Sequence, residues 1–188
     1  MSSLPHHPRS VTIETRSAEE TRRLALALTP ILLPGDVLAL SGDLGAGKTT
    51  FVQGLAAGLK VPEHVTSPTF VLMKEYAGGK YPLMHIDIYR LDMVQEVIDL
   101  GWDEFLDPGH VVAIEWGDAV EPLLPREHLI VKLTYADEDS VRHVTLVPRG
   151  PNWRSRIETV RILMSDIFSP SRDAEDLGLA DPFQGRHN

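Results

Sequence analysis

The chain has 188 residues, and its 18 Lys and Arg residues against 27 Asp and Glu residues give a formal net charge of −9. This length predicts one domain, and the mixture of 43% hydrophobic and 24% charged residues is typical of a globular protein. The acidic charge argues against direct binding to a nucleic-acid backbone, which requires clustered Lys and Arg. The absence of cysteine excludes disulfides, thiolate metal sites and cysteine nucleophiles.

The N-terminal region argues against a membrane or secreted protein. Residues 1–10 are polar and contain two prolines, which predicts a flexible tail rather than the apolar core of a secretory signal. The most apolar region, residues 24–40, is interrupted by two prolines, a glycine and an aspartate, so it cannot form the ~20-residue helix that crosses a bilayer. These features favour a cytoplasmic protein.

The first third of the chain predicts two strand–helix units. Alternating apolar residues predict a strand over residues 10–15, and Ser17 is expected to cap a helix that ends at Pro30. Residues 36–41 contain a short apolar run, which predicts a buried central strand. A glycine-rich turn leads from it into a second helix, whose apolar residues recur four apart: Phe51, Leu55 and Leu59.

The middle of the chain predicts a hairpin, short helices and a second buried strand. Residues 70–90 are rich in β-branched and aromatic residues, and the pair Gly78 and Gly79 predicts the turn of an antiparallel hairpin. Residues 94–106 predict one or two short helices with a glycine as the break. Residues 111–116 contain another apolar run and predict a strand in the interior of the sheet.

The C-terminal part predicts a further hairpin and one helix. Residues 128–135 and 141–147 read as strands on either side of an acidic turn. Asn152 is expected to cap a helix over residues 151–169 that has one apolar face and packs on the domain. Residues 170–188 contain few apolar residues to offset their ordering entropy, which predicts a disordered tail.

A glycine-rich segment fits the phosphate-loop pattern G-x-x-x-x-G-K-[ST]. It reads Gly42, Asp43, Leu44, Gly45, Ala46, Gly47, Lys48 and Thr49. The glycines allow successive N–H groups to point at phosphate oxygens, and the following helix adds its positive end. Lys48 supplies a cation for the β- and γ-phosphates, the Thr49 hydroxyl suits Mg²⁺, and Thr50 continues the nucleotide-binding segment. The segment predicts a site for a nucleoside triphosphate.

Two acidic residues are candidates for the other side of this site. Glu115 follows four apolar residues, 111–114, and so lies at the C-terminal edge of a predicted central strand, where open α/β sheets bind ligands. Asp87 lies in a more alternating segment, typical of a partly exposed strand. We assign Glu115 to the metal and Asp87 to the attacking water or the metal shell, with a solvated surface acid as the alternative for each. Lys48, Asp87 and Glu115 are the predicted catalytic residues.

Absent patterns narrow the choice of nucleotide and reaction. The guanine-nucleotide signatures D-x-x-G and [NT]-K-x-D do not occur in the sequence, so ATP is the expected nucleotide. The leading hypothesis for the reaction is in-line attack of water on the γ-phosphate of ATP. A small-molecule kinase is an alternative, although the Arg-rich lid of such enzymes is not evident between residues 117 and 150. A nucleotide-dependent binding module, whose occupancy matters more than its chemistry, also stays open.

Four motifs occur in order: the phosphate loop, Ser67-Pro68-Thr69-Phe70, the segment from His85 to Leu91, and Ile114-Glu115-Trp116. With these motifs the sequence resembles the bacterial TsaE (YjeE) family over about residues 10–148. That family is the ATPase component of the machinery that makes threonylcarbamoyladenosine in tRNA. The resemblance implies an α/β fold over residues 11–150, a P-loop NTPase-like three-layer domain whose mixed, centrally parallel β-sheet is flanked by helices.

The resemblance also implies an activity and partners. Members of this family hydrolyse ATP with Mg²⁺ and work with two proteins, TsaB and TsaD, of which TsaD carries out the transfer chemistry on tRNA. Contact with tRNA is then indirect, through that complex, which agrees with the acidic net charge. The expected ATPase is slow alone and faster when a partner orders its switch segments.

The resemblance assigns roles to individual residues. It makes residues 67–69 a switch loop near the γ-phosphate and residues 85–90 a second one, with Thr69 and Trp116 contacting nucleotide. Independently of the resemblance, no arginine is an evident finger in the sequence, and Arg90, close to Asp87, is the one candidate. Three residues match functional positions of the family: Asp87, Glu115 and Trp116.

The same residues have simpler interpretations. Pro68 fixes a turn before a strand at Phe70, with Thr69 as a local hydrogen-bonding group. Trp116 packs at the end of a strand. His85 is a core histidine whose ring is bonded to backbone.

Overall fold

The structure, a computed structural model of the chain, describes residues 10–69, 71–89, 94–99, 101–138 and 140–167. Within these ranges the fold is α/β and is built on one seven-stranded mixed sheet, as predicted. Except for Ser10, the predicted tails 1–10 and 170–188 lie outside the described residues, as do Phe70 and Arg90. None of the described helices is long and apolar enough to cross a membrane.

The strands agree closely with the sequence predictions. They are β1 (Val11–Thr15), β2 (Val37–Ser41), β3 (Met73–Tyr76), β4 (Leu83–Asp87), β5 (Val111–Glu115), β6 (His128–Tyr135) and β7 (Arg142–Arg149). Their order across the sheet is β1-β7-β6-β2-β5-β4-β3. The central pairs β6–β2, β2–β5 and β5–β4 are parallel, and the outer pairs are antiparallel. The two predicted hairpins, β3–β4 and β6–β7, are therefore confirmed.

Helices cover both faces of the sheet. They are α1 (Ala18–Leu28), α2 (Lys48–Gly58), α3 (Val94–Asp99), α4 (Trp102–Phe105) and α5 (Pro151–Ile167), with 3₁₀ segments at Thr29–Ile31 and Gly117–Leu123. One apolar cluster joins α1, α2 and α5 to one face of the sheet, and a second joins α3, α4 and the second 3₁₀ segment to the other face. The three-layer architecture follows from this division.

The middle of the sheet is buried from both sides. In β2, Leu38 and Leu40 belong to the cluster beneath α1 and α2, whereas Val37 belongs to the opposite cluster. All five residues of β5 are buried. Because β2, β4 and β5 are parallel, their C-terminal ends lie at one edge of the sheet. The phosphate-loop motif follows the end of β2, and the strands β4 and β5 end within the motifs at residues 85–91 and 114–116.

The start of α1 confirms the predicted cap. The Ser17 hydroxyl accepts a hydrogen bond of 3.1 Å from the Glu20 backbone N–H. The Glu20 carboxylate in turn accepts one of 2.7 Å from the Arg16 N–H, one residue before the cap. Two N–H groups at the helix start are thereby satisfied by local side chains.

Two local predictions were wrong. Asn152 does not cap α5, because the helix already begins at Pro151 and the Asn152 N–H donates to the Glu127 carboxylate at 3.1 Å. The first hairpin strand begins at Met73 rather than at residue 70. The N–H groups of residues 71 and 72 turn back to the Pro68 carbonyl, which delays the strand.

Helix α5 is fixed to the sheet by a buried ion pair. The Arg156 guanidinium donates two hydrogen bonds, of 2.6 and 2.7 Å, to the carboxylate of Asp36, the residue before β2. The guanidinium also donates to the Ile31 carbonyl at 3.0 Å and lies 3.9 Å from the ring centre of Trp153. The side chains of Arg156 and Asp36 are 19% and 10% exposed, so each charge depends on the other for compensation.

We expect Arg156→Ala to lower the free energy of unfolding by about 2–3 kcal/mol, because it leaves the Asp36 carboxylate buried without its partner. Urea denaturation followed by circular dichroism measures this loss. Arg154→Ala is the matched control, since Arg154 is exposed on the same helix and should change stability by less than about 0.5 kcal/mol. Equal effects of the two substitutions would contradict a structural role for the ion pair.

Candidate functional site

The loop between β2 and α2 passes close to strand β6 at two glycines, both at positive φ. Gly42 has a φ of +141°, and a Cβ there would lie 2.2 Å from the carbonyl oxygen of Leu133 in β6. Gly45 has a φ of +78°, and a Cβ there would lie 2.8 Å from the Tyr135 hydroxyl. That hydroxyl donates a hydrogen bond of 2.8 Å to the Leu44 carbonyl. Strand β6 therefore supports the phosphate loop from one side.

The remaining loop residues join this turn to α2. Asp43 is exposed, and its carbonyl accepts a hydrogen bond of 3.1 Å from the N–H of the buried Ala46. Gly47 precedes the first residue of α2, and Thr50 lies half-buried in the first helical turn. Leu44 is 71% exposed at the tip of the loop. The predicted segment 42–50 thus forms one continuous loop-to-helix unit.

Lys48 is buried at the start of α2. Its Nζ donates to the carbonyl oxygens of Gly42 at 2.7 Å and Asp43 at 3.0 Å. Burial lowers the pKa of Lys48, and the nearby carboxylates of Glu115 and Asp87 oppose this effect. The ammonium group therefore occupies the inside of the loop, next to two acids.

Glu115 links three elements at the sheet edge. Its side chain is almost fully buried, and its Oε1 accepts a hydrogen bond of 2.7 Å from the Thr49 hydroxyl of α2. The same Oε1 lies 2.8 Å from Nε2 of His85 in β4. His85 is therefore buried as expected of a core residue, but its partner is a carboxylate and not the backbone.

Asp87 holds the loop that carries the second motif. The hydroxyls of Ser67 and Thr69 each donate to its Oδ2 at 2.6 Å. Its Oδ1 accepts a hydrogen bond of 3.1 Å from the Tyr89 N–H. Asp87 is buried and lies directly opposite Glu115 in the parallel β4–β5 pair, so two carboxylates are adjacent at the end of the sheet.

Trp116 contacts both Lys48 and Tyr89. It follows β5 directly, has a φ of +62° and precedes the second 3₁₀ segment. Nζ of Lys48 lies 3.6 Å from its ring centre, a cation–π contact. The half-exposed ring of Tyr89 lies 5.1 Å from it on the outside. Trp116 thus contacts a loop residue and does not serve as sheet packing alone.

The structure brings the predicted site residues together at one edge of the sheet. The phosphate loop, Thr69, Asp87, Glu115 and Trp116 all belong to the network of contacts just described. Sequence reasoning did not identify the role of Tyr135, because its contact with the loop requires the order of β6 and β2 in the sheet. It also missed the Ser67 hydroxyl as a partner of Asp87, although both residues lie within motifs that the sequence singled out.

The support that β6 gives to the loop is testable. We expect Gly42→Ala to lower the free energy of unfolding by about 1–3 kcal/mol more than Gly101→Ala, measured by urea denaturation. Both variants place an alanine at positive φ, which costs about 1–2 kcal/mol, but only the Cβ at position 42 meets a backbone carbonyl. Equal losses in the two variants would contradict the close contact between the loop and β6.

Comparisons with known proteins agree with one another. The family described as threonylcarbamoyl adenosine biosynthesis protein TsaE matches residues 15–144. The tRNA threonylcarbamoyladenosine biosynthesis protein TsaE of Bacillus subtilis is 42% identical over 144 residues, which cover 77% of this chain and 89% of that protein. The protein of the same name from a Nostoc species is 45% identical over 135 residues, which cover 69% of this chain and 81% of that protein. A crystal structure of Bacillus subtilis YdiB, 36% identical, aligns with a TM-score of 0.72 over 82% of this chain and 95% of that one.

Proposed function

The chain belongs to the TsaE family, and on that basis we propose that it is a Mg²⁺-dependent ATPase of tRNA N6-threonylcarbamoyladenosine biosynthesis. One observation carries the proposal: the Thr49 hydroxyl of the phosphate loop donates to the buried Glu115 carboxylate, and the buried Asp87 lies opposite Glu115 at the same edge of the sheet. Hydrolysis of a nucleoside triphosphate depends on positioning and charge neutralisation, and this arrangement supports both.

The residues present fit a nucleotide and Mg²⁺. The loop excludes a Cβ at Gly42, and α2 begins directly after the loop, as in helix N-termini that bind phosphate. Thr49, Glu115 and Asp87 supply hydroxyl and carboxylate oxygens, the donors that Mg²⁺ prefers. When bound, Mg²⁺ would neutralise charge on the β- and γ-phosphates.

The chain's own residues have distinct parts in the proposed reaction. Water attacks the γ-phosphorus in line, and the bond to the β–γ bridging oxygen breaks. Lys48 exchanges its hydrogen bonds to the Gly42 and Asp43 carbonyls for bonds to phosphate oxygens and stabilises the spreading negative charge. Asp87 orients the water and accepts its proton, whereas Glu115 serves the metal side through Thr49.

The contacts of Asp87 support a slow reaction in the isolated chain. Its Oδ2 accepts hydrogen bonds from both Ser67 and Thr69, so this oxygen can engage a water molecule only after the loop changes partners. We propose that TsaB and TsaD promote this change and that tRNA is bound by them, since this chain carries a net charge of −9. Nucleotide hydrolysis is then coupled to the partner complex.

Two substitutions separate binding from hydrolysis. We expect Lys48→Ala to weaken ATP binding about tenfold to hundredfold, because it removes charge-assisted hydrogen bonds to phosphate. Asp87→Asn should keep ATP affinity within about threefold and lower the hydrolysis rate by about a hundredfold or more, because an amide cannot accept the proton. Isothermal titration calorimetry measures the first effect and phosphate release the second.

Asp103→Asn is the matched control for Asp87→Asn, since Asp103 is an exposed acid on α4 away from the phosphate loop. It should leave both binding and hydrolysis unchanged. If Asp87→Asn supported repeated rounds of tRNA modification at the unmodified rate, hydrolysis would not be the function. A nucleotide-dependent binding module would then be the better interpretation.

Partner dependence is tested by the rate of phosphate release. We expect the isolated chain to hydrolyse ATP at least about tenfold more slowly than the chain mixed with TsaB and TsaD, because the partners free Asp87 from the loop hydroxyls. Chelation of Mg²⁺ with EDTA should abolish the stimulated rate. A full rate in the absence of both partners would contradict the coupling.

A further inference from the structure

His85 is a buried polar residue that the proposed reaction does not yet use. It lies in the middle of β4, and its side chain is fully buried. Nε2 lies 2.8 Å from Oε1 of Glu115, while Nδ1 is buried and has no hydrogen-bond partner within the described part of the chain. An imidazole costs more to bury than an aliphatic side chain, so the contact with Glu115 is what offsets this cost.

The pairing of β4 and β5 gives His85 the space for this contact. His85 lies directly opposite Ala113, and two residues further Asp87 lies opposite Glu115. Because the side chain of Ala113 is a single methyl group, the imidazole can reach across the diagonal to Glu115. A large residue at position 113 would fill that space.

We infer that His85 is a positioning residue, which holds the Glu115 carboxylate in the orientation in which it meets the phosphate loop. This role rests on the proposed function, because it concerns the metal side of the ATP site. Two donors converge on Oε1 of Glu115, the Thr49 hydroxyl at 2.7 Å and the His85 ring at 2.8 Å. They fix the rotation of the carboxylate and leave Oε2 as the oxygen for a further ligand.

The surroundings of the ring also fix its tautomer. A proton on Nδ1 of His85 would be buried without an acceptor, so the proton belongs on Nε2, where it is donated to Glu115. His128 is the opposite case, because its Nδ1 lies 2.7 Å from the Pro125 carbonyl oxygen and its Nε2 has no partner in the described ranges. Burial lowers the pKa of His128, which keeps that ring neutral. Two buried histidines of one chain therefore carry opposite tautomers.

Long-range ¹H–¹⁵N spectra of the full chain test this assignment without any change at His85. We expect the Nε2–H tautomer for His85 and the Nδ1–H tautomer for His128, which serves as the internal control. Glu115→Gln should shift the ring nitrogens of His85 and leave those of His128 unchanged. An Nδ1–H tautomer at His85, or a His85 signal insensitive to Glu115→Gln, would overturn the inference.

Two substitutions at His85 then separate positioning from packing. His85→Leu removes the donor at similar volume, whereas His85→Gln keeps an amide N–H that can reach Glu115. We expect His85→Leu to reduce the gain in ATP affinity caused by Mg²⁺ about tenfold, with affinity in EDTA changed less than about twofold, and His85→Gln to restore most of that gain. His128→Leu is the control and should leave the Mg²⁺ effect unchanged.

Each outcome bears on one proposal alone. Equal impairment by His85→Leu and His85→Gln, or equal loss of affinity with Mg²⁺ and with EDTA, would overturn the positioning role and leave His85 as a packing residue. If the unmodified chain, mixed with TsaB and TsaD, bound Mg²⁺ and ATP without hydrolysing ATP, the proposed ATPase function would fail. The spectra and the Mg²⁺-dependent affinity would still decide the role of His85.

Discussion

The burial of two carboxylates at the ends of adjacent parallel strands is the constraint on which the site depends. Asp87 and Glu115 are 4% and 3% exposed, and a buried carboxylate without hydrogen-bond donors costs several kcal/mol. The donors come from separate parts of the chain: Thr49 in α2, His85 in β4 and the hydroxyls of residues 67–69. Satisfying the two acids therefore brings the phosphate loop, the sheet and the second motif into one network, which no single element could form alone.

The same constraint explains which features the sequence predicts and which it does not. The apolar run before Glu115 and the cap at Ser17 depend on neighbouring residues, and the structure agrees with both predictions. The contact of His85 with Glu115 joins residues 30 positions apart, and that of Tyr135 with Leu44 joins residues 91 apart. Such contacts depend on strand order and register, which local patterns do not specify. The Asn152 prediction failed for the same reason, because the carboxylate of Glu127, just before β6, accepts a hydrogen bond from the start of α5.

The charged groups of the site already have hydrogen-bond or ring partners within the chain. Lys48 donates to carbonyls of its own loop and contacts the Trp116 ring, while Asp87 accepts hydrogen bonds from two hydroxyls. Under the proposed function, a phosphate group that enters this site would replace the present partners of Lys48. The net gain for each exchange is therefore smaller than the strength of the new hydrogen bond, since an old one is lost.

Helix α5 extends this network beyond the residues that define the family. The family match ends at residue 144, yet α5 buries Trp153 and Val160 in the cluster that includes β1, β7 and α1. Its Arg156 binds Asp36, which immediately precedes β2, and the other end of β2 leads directly into the phosphate loop. The folding unit that supports the site is consequently longer than the part of the sequence that identifies it.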